Sequence, residues 1–141
     1  VDVTSLLGIT KKGIIKQPQI YYGGPVELHK GFILHTDDYK NYNNHLKLDN
    51  ELILSSDFSI IKEIMSGNGP SKSILAIGYT GWSSFQLHAE LKKNDWFELD
   101  LDIDIIFSKN YKSKWDEAIT KLGINKKLLK SAIFSNYTGS A

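Results

Sequence analysis

The sequence predicts an α+β domain. Short apolar runs of strand character alternate irregularly with segments of helical spacing, and never in the repeated strand–helix–strand order of a doubly wound sheet. Two further observations support this. Glycine-bounded turns close most of the runs, and no internal repeat, low-complexity tract or linker interrupts the 141 residues, so 1–141 is read as a single domain.

The elements follow in chain order. In the opening segment Leu6, Leu7 and Ile9 fit one short helical face ending at Gly8 or Gly13. Residues 19–22 are β-rich and stop at the turn Gly23-Gly24-Pro25, and residues 31–35 form a second strand. A polar loop over 37–45 leads to short strand signals in 47–55, around an Asp49-Asn50 turn. Ser56 or Asp57 caps a helix carrying Ile60, Ile61 and Ile64 at helical spacing, and Gly67 ends it. Residues 73–79 form a short apolar run of the kind that makes a buried strand.

Next comes the best-defined helix start. Ser83 and Gln86 stand at capping-box spacing, and Trp82 and Leu87 occupy the positions of a hydrophobic staple. Beyond it, Leu99, Leu101, Ile103 and Ile105 alternate with Asp100, Asp102 and Asp104, which predicts a strand with one acidic side. Trp115, Ala118, Ile119 and Leu122 give a last long helix stopped by Gly123, and Asn125 caps a short one through Leu128 and Leu129.

Composition excludes several chemistries. The chain has no cysteine, so it holds no disulfide, thiolate nucleophile or cysteine-ligated metal. With no apolar run of membrane-spanning length and no secretory pattern in residues 1–8, a cytoplasmic location without membrane association is expected. All 17 basic residues are lysine, which rules out an arginine finger and an arginine–guanine contact. A net charge of +1 supplies no strong field for steering nucleic acid.

Two stretches carry a resemblance. Tyr22-Gly23-Gly24-Pro25-Val26-Glu27 followed by Gly31-Phe32-Ile33-Leu34-His35, and Gly78-Tyr79-Thr80-Gly81-Trp82 with Gln86-Leu87 and Glu90-Leu91, resemble the signatures of the bacterial AlgH/YqgE family. Trp96, Phe107, Trp115-Asp116-Glu117-Ala118 and Leu122-Gly123 extend it over nearly the whole chain. Phe85 stands where the family usually has glycine, His88 where it has glutamate, and the chain ends Gly139-Ser140-Ala141 where the family ends Gly-His-Ala. The resemblance implies an α+β fold whose strongly bent, mixed sheet closes into a partial barrel with flanking helices. It also implies that this chain corresponds to the C-terminal portion of the usual family domain. One branch of this largely uncharacterised family is named as a transcriptional regulator of alginate genes.

The ligand-binding candidates are Gly23, Gly24, Pro25, His35, Gly81, Trp82, Ser83 and Gln86. Gly23-Gly24-Pro25 lets backbone approach a ligand, although a tight turn after a strand explains such a triplet better. The Gly81–Gln86 helix start offers N–H groups to an anion beside an aromatic ring, or consumes them in its own cap. G-x-S-x-G nucleophile logic fails because Phe85 replaces the second glycine. His29 and His35 with Asp37 and Asp38 match no metal spacing, and Asp100, Asp102 and Asp104 lack the glycine and glutamate of a calcium loop. His35 with Ser55 and Asp57 shows no triad spacing, and the lysines 121, 126, 127 and 130 read as a wet surface. No catalytic residue, cofactor or metal is therefore assigned. The expected function is non-enzymatic binding or regulation through a protein or small-molecule partner, without specific DNA recognition and with a tendency to self-associate. The alternative is an enzyme that holds an anionic substrate at the Gly81–Ser84 helix start.

Overall fold

The computed structural model describes residues 8, 13, 16–41 and 43–129; the expected early helical face and the C-terminal tripeptide lie outside them. The chain divides into two compact units, Val1–Lys93 and Asn94–Ala141.

The first unit is built on a mixed five-stranded sheet. Its elements are β1 (Ile20–Tyr22), β2 (Val26–Thr36), β3 (His45–Lys47), β4 (Leu52–Ser55), helix α1 (Ser59–Ser66), β5 (Ser73–Tyr79) and helix α2 (Ser84–Lys92). The strand order is β1-β5-β2-β4-β3. β1 runs parallel to β5, and the other neighbours are antiparallel. β1 and β3 end that order without pairing to each other, so the sheet is open and not closed into a barrel.

Side chains alternate across a strand, and burial in β2 follows the alternation. Gly31, Ile33 and His35 are buried, while Phe32, Leu34 and Thr36 are half-buried on the opposite face. Ile33 lies opposite Ser55 on one side and Leu75 on the other. α1 covers this face with Ile60, Ile61, Ile64 and Met65, which form one core cluster with Ile33 and Leu75. Each such side chain, fully buried, contributes about 1.5–3 kcal/mol. Gly31 leaves room for the ring of Phe58, since an added Cβ would stand 2.7 Å from its Cζ. The helix begins one residue later than the expected Ser56 or Asp57 cap: Phe58 holds the N-cap position with no side-chain cap bond, and Asp57 Oδ1 accepts from the Ser59 N–H at 2.9 Å in the turn before it. Gly67 closes the helix with φ of 83°.

β2 is longer than its sequence pattern suggests because it contains an irregular stretch. Val26 pairs with Tyr79 and Gly31 with Ile77, so five steps along β2 meet only two along β5. Such a bulge bends the strand and raises its twist. Glu27, inside it, holds a left-handed φ of 47°.

The second unit contains α3 (Ile103–Ile106), α4 (Lys114–Lys121) and a helical turn over 126–129. The strand expected across 99–105 is absent: residues 99–102 are irregular and α3 follows. The reason is Asp102, whose Oδ1 accepts from the N–H groups of Asp104 (3.0 Å) and Ile105 (3.1 Å) and starts a helical turn. Asn125 caps the last turn as expected, accepting from Lys127 N–H at 2.9 Å.

Lys121 forms an ion pair with Asp102, and Lys114 Nζ donates to the Ile106 carbonyl at 2.6 Å. Lys121, then the Ile105 N–H, hold the Asp102 carboxyl below the usual carboxylate range. A depressed folded value means that the contribution is complete above the ordinary pKa and is lost as pH falls through the folded one. Amide exchange in α3 and α4 is expected to accelerate on acidification below the ordinary aspartate range. Asp102→Asn is expected to remove that dependence, and an unchanged pH profile in the variant would count against the assignment.

Candidate functional site

The two glycine motifs, far apart in sequence, meet where β1 and β5 run side by side. Gly23 N–H donates to the Ile77 carbonyl at 2.9 Å, continuing the parallel ladder past Tyr22. Gly23 and Gly24 then lie directly on the backbone of residues 78–80. An added methyl at Gly23 would overlap the Gly78 carbonyl oxygen, and one at Gly24 would overlap the Tyr79 carbonyl and approach Thr80 Cγ2 to 2.6 Å. Gly78 reciprocates: its φ is 71°, and a methyl there would run into the Gly24 carbonyl oxygen. These glycines let two main chains cross at contact distance. On the side where a Cβ would stand, each of the three meets protein atoms.

The rim of this crossing is polar. The Glu27 carboxylate pairs with Lys30 Nζ at 2.7 Å and accepts from the Tyr79 hydroxyl. Lys30 first, then Tyr79, lowers the Glu27 pKa, and the carboxylate in turn raises those of Lys30 and Tyr79. The Tyr79 ring stands edge-on to Phe32, 5.8 Å between centroids.

The chain then enters α2. Ser83 is extended and its Oγ accepts from Gln86 N–H at 3.1 Å, so the expected cap forms. The side chains of Gln86 and Trp82 take a different direction. Gln86 Nε2 donates to Glu90 Oε1 at 3.1 Å, and the Trp82 indole N–H donates to Glu90 Oε2 at 2.9 Å. Glu90 thus gathers two of the side chains that the sequence marked as ligand-binding, Trp82 and Gln86, and it was missed as a site residue. Its signal was its place one helical turn beyond Gln86. No residue of α2 is buried, and Phe85 is 85% exposed. Ser83→Ala is expected to destabilise α2 by about 0.5–2 kcal/mol, the usual loss of an N-cap. Amide exchange would show it as faster opening confined to the start of that helix; unchanged exchange there would refute the cap.

His35 does not join this group. It lies opposite Ser73, at the other end of β5 from Tyr79, about 20 Å away at strand rise. It is fully buried, its Nδ1 stands 2.8 Å from the Thr36 carbonyl, and its ring meets Tyr39 edge-on. Ser55, buried in the neighbouring strand, accepts from Asp57 N–H at 3.1 Å, a local turn contact that belongs to no triad. Among the described residues no three His, Asp or Glu side chains converge as metal ligands. A cleft of about 280 Å³ opens beside Phe32, His45, Leu46 and Leu54, and another of about 470 Å³ beside Ile105, Thr120 and Lys121. Neither is lined by any of the eight residues marked as ligand-binding from the sequence.

Comparison with known proteins gives this arrangement its family. The family model described as AlgH-like (DUF179) matches residues 1–127. The chain belongs to the AlgH-like family. A UPF0301 protein of Jannaschia is 36% identical over 131 residues, 92% of this chain and 68% of the relative. A UPF0301 protein of Rickettsia prowazekii is 41% identical over 143 residues, 100% of this chain and 72% of its own length. The chain thus spans about two thirds of the length of such relatives. The solution structure of the AlgH protein from Pseudomonas aeruginosa matches with a TM-score of 0.69 at 33% identity, covering 92% of this chain and 70% of that one. In this AlgH-like chain, Gly78–Trp82, Gln86 and Glu90 form a backbone crossing followed by a hydrogen-bonded helix start.

Proposed function

We propose that this AlgH-like chain is a binding or regulatory protein that acts through a partner and performs no chemistry of its own. The observation that carries this reading is α2, whose start is fixed by Ser83 and by the Trp82–Glu90–Gln86 contacts while Phe85 projects into solvent. A helix held rigid from within and buried nowhere offers a preorganised surface to a partner protein, with little ordering entropy left to lose. The same proposal places the protein in the cytoplasm, in keeping with its lack of cysteine. Among the described residues no helix is long and apolar enough to cross a membrane.

The test compares proteins retained from a bacterial lysate by the parent chain and by Phe85→Ala. A partner held by the parent and lost by the variant, with both unfolding at the same midpoint, is the expected result. Identical retention would overturn the assignment to α2.

A second reading has one observation in its favour. An added Cβ at Gly81 meets nothing within 4 Å, so open space precedes the first turn of α2. An enzyme could seat an anionic substrate there. A metabolite that raises the melting temperature of the parent chain and is consumed by it would make that reading the leading one.

Any regulatory effect on transcription is proposed to be indirect. Without arginine and with a net charge of +1, the chain lacks the main means of reading guanine and of holding phosphate tightly. Anisotropy titrations against genomic fragments at physiological salt are expected to show only weak binding that salt removes. Nanomolar binding to one sequence in excess competitor would reverse this conclusion.

A further inference from the structure

We propose that Asn68–Gly69 is a site of covalent self-modification, deamidation through a cyclic imide, and that the C-terminal cap of α1 holds it in check. This is the one Asn-Gly pair in the 141 residues. Glycine leaves its backbone nitrogen unshielded, which makes attack on the preceding asparagine side chain easiest at such a pair. Packing explains why the glycine is there. A Cβ on Gly69 would stand 2.8 Å from Ile64 N and 2.9 Å from Ile64 Cα, and Ile64 belongs to the core. Close approach to α1 therefore demands the residue that makes Asn68 reactive.

The cap supplies the restraint. Gly67 N–H donates to the Ile64 carbonyl at 3.2 Å and Asn68 N–H to the Glu63 carbonyl at 2.9 Å, the bond pattern of a Schellman ending. Gly69 N–H also donates to the Glu63 carbonyl, at 2.9 Å. The Asn68 amide, itself exposed, donates to Ser66 Oγ at 3.3 Å. For the reaction, Gly69 nitrogen must lose its proton and form a bond to Asn68 Cγ while the Cγ–Nδ2 bond breaks and ammonia leaves. Water then opens the imide at either carbonyl, giving aspartate or the isomer whose main chain runs through the β-carbon. The balance is one water consumed and one ammonia released. Gly69 nitrogen cannot attack while its proton is held by Glu63, so the cap must open first.

The product acts on the core. A carboxylate at position 68 faces the negative end of the α1 dipole. The isomer also lengthens the main chain by one methylene, where Gly69 has no spare room against Ile64. α1 provides four of the six residues of the core cluster, so conversion loosens the first unit with time.

The full chain incubated at mildly alkaline pH, native and in urea, tests this by peptide mass mapping and isoaspartate detection. In urea, Asn68 is expected to convert faster than every other asparagine. In the native chain it should convert about tenfold more slowly or less, the protection given by a cap opening that costs about 1.4 kcal/mol. Equal native and urea rates would overturn the gating, and no excess conversion at Asn68 in urea would overturn the site. Asn68→Asp should lower the unfolding midpoint; a midpoint equal to the parent's would sink the link to the core.

Discussion

Gly78→Ala is expected to lower the unfolding free energy by about 2–5 kcal/mol, because left-handed strain and overpacking act together. The new methyl would carry a φ of 71°, overlap the Gly24 carbonyl oxygen and press on Leu28 Cδ2 at 3.0 Å. Neither backbone can retreat easily, since Gly23 is tied to Ile77 by a ladder bond. Gly81→Ala, three residues on and surrounded by open space, should unfold close to the parent midpoint. Urea midpoints for the pair decide between two roles of the glycine motif. A crossing of main chains predicts loss of stability at Gly78, whereas a ligand cradle predicts parent-like stability with loss of binding.

Ile33→Ala should cost about 2–5 kcal/mol, the range for emptying a buried aliphatic site. Ile33 is 1% exposed and stands between Ser55 and Leu75, facing the isoleucines of α1. Leu34→Ala, one residue along on the opposite face, should cost less because Leu34 is only half-buried. The contrast tests which side of the sheet holds the core. Equal losses, measured by urea denaturation, would mean that the alternation in β2 does not decide stability.

How much could be read beforehand varies with the range of the interaction. The isoleucine spacing that marked α1 also fixes what it buries, so pattern and core agree at Ile60, Ile61 and Ile64. β5 was legible as an apolar run, and the Ser83 cap as a local spacing. The segment 99–105 was misread because alternating aspartates look the same on a strand face and at a helix cap, until Asp102 meets particular N–H groups. The capping box was half right: Gln86 turned to Glu90, the carboxylate one turn ahead. At the candidate site, each glycine motif was visible as a turn. Their contact was not, because parallel pairing of β1 with β5 joins segments that no local pattern links. The burial of His35 likewise follows from strand neighbours chosen by the whole sheet.

The irregular stretch of β2 separates chain length from strand register. Between the Val26–Tyr79 and Gly31–Ile77 pairs, the surplus residues are already accommodated outside the ladder. A residue gained or lost there need not shift the pairing on either flank, whereas the same change between Gly31 and His35 would turn every later side chain to the wrong face. Among variants of this chain, differences in length should therefore gather at 27–30, and a short epitope inserted at that point should leave Ile33 and Leu75 in register.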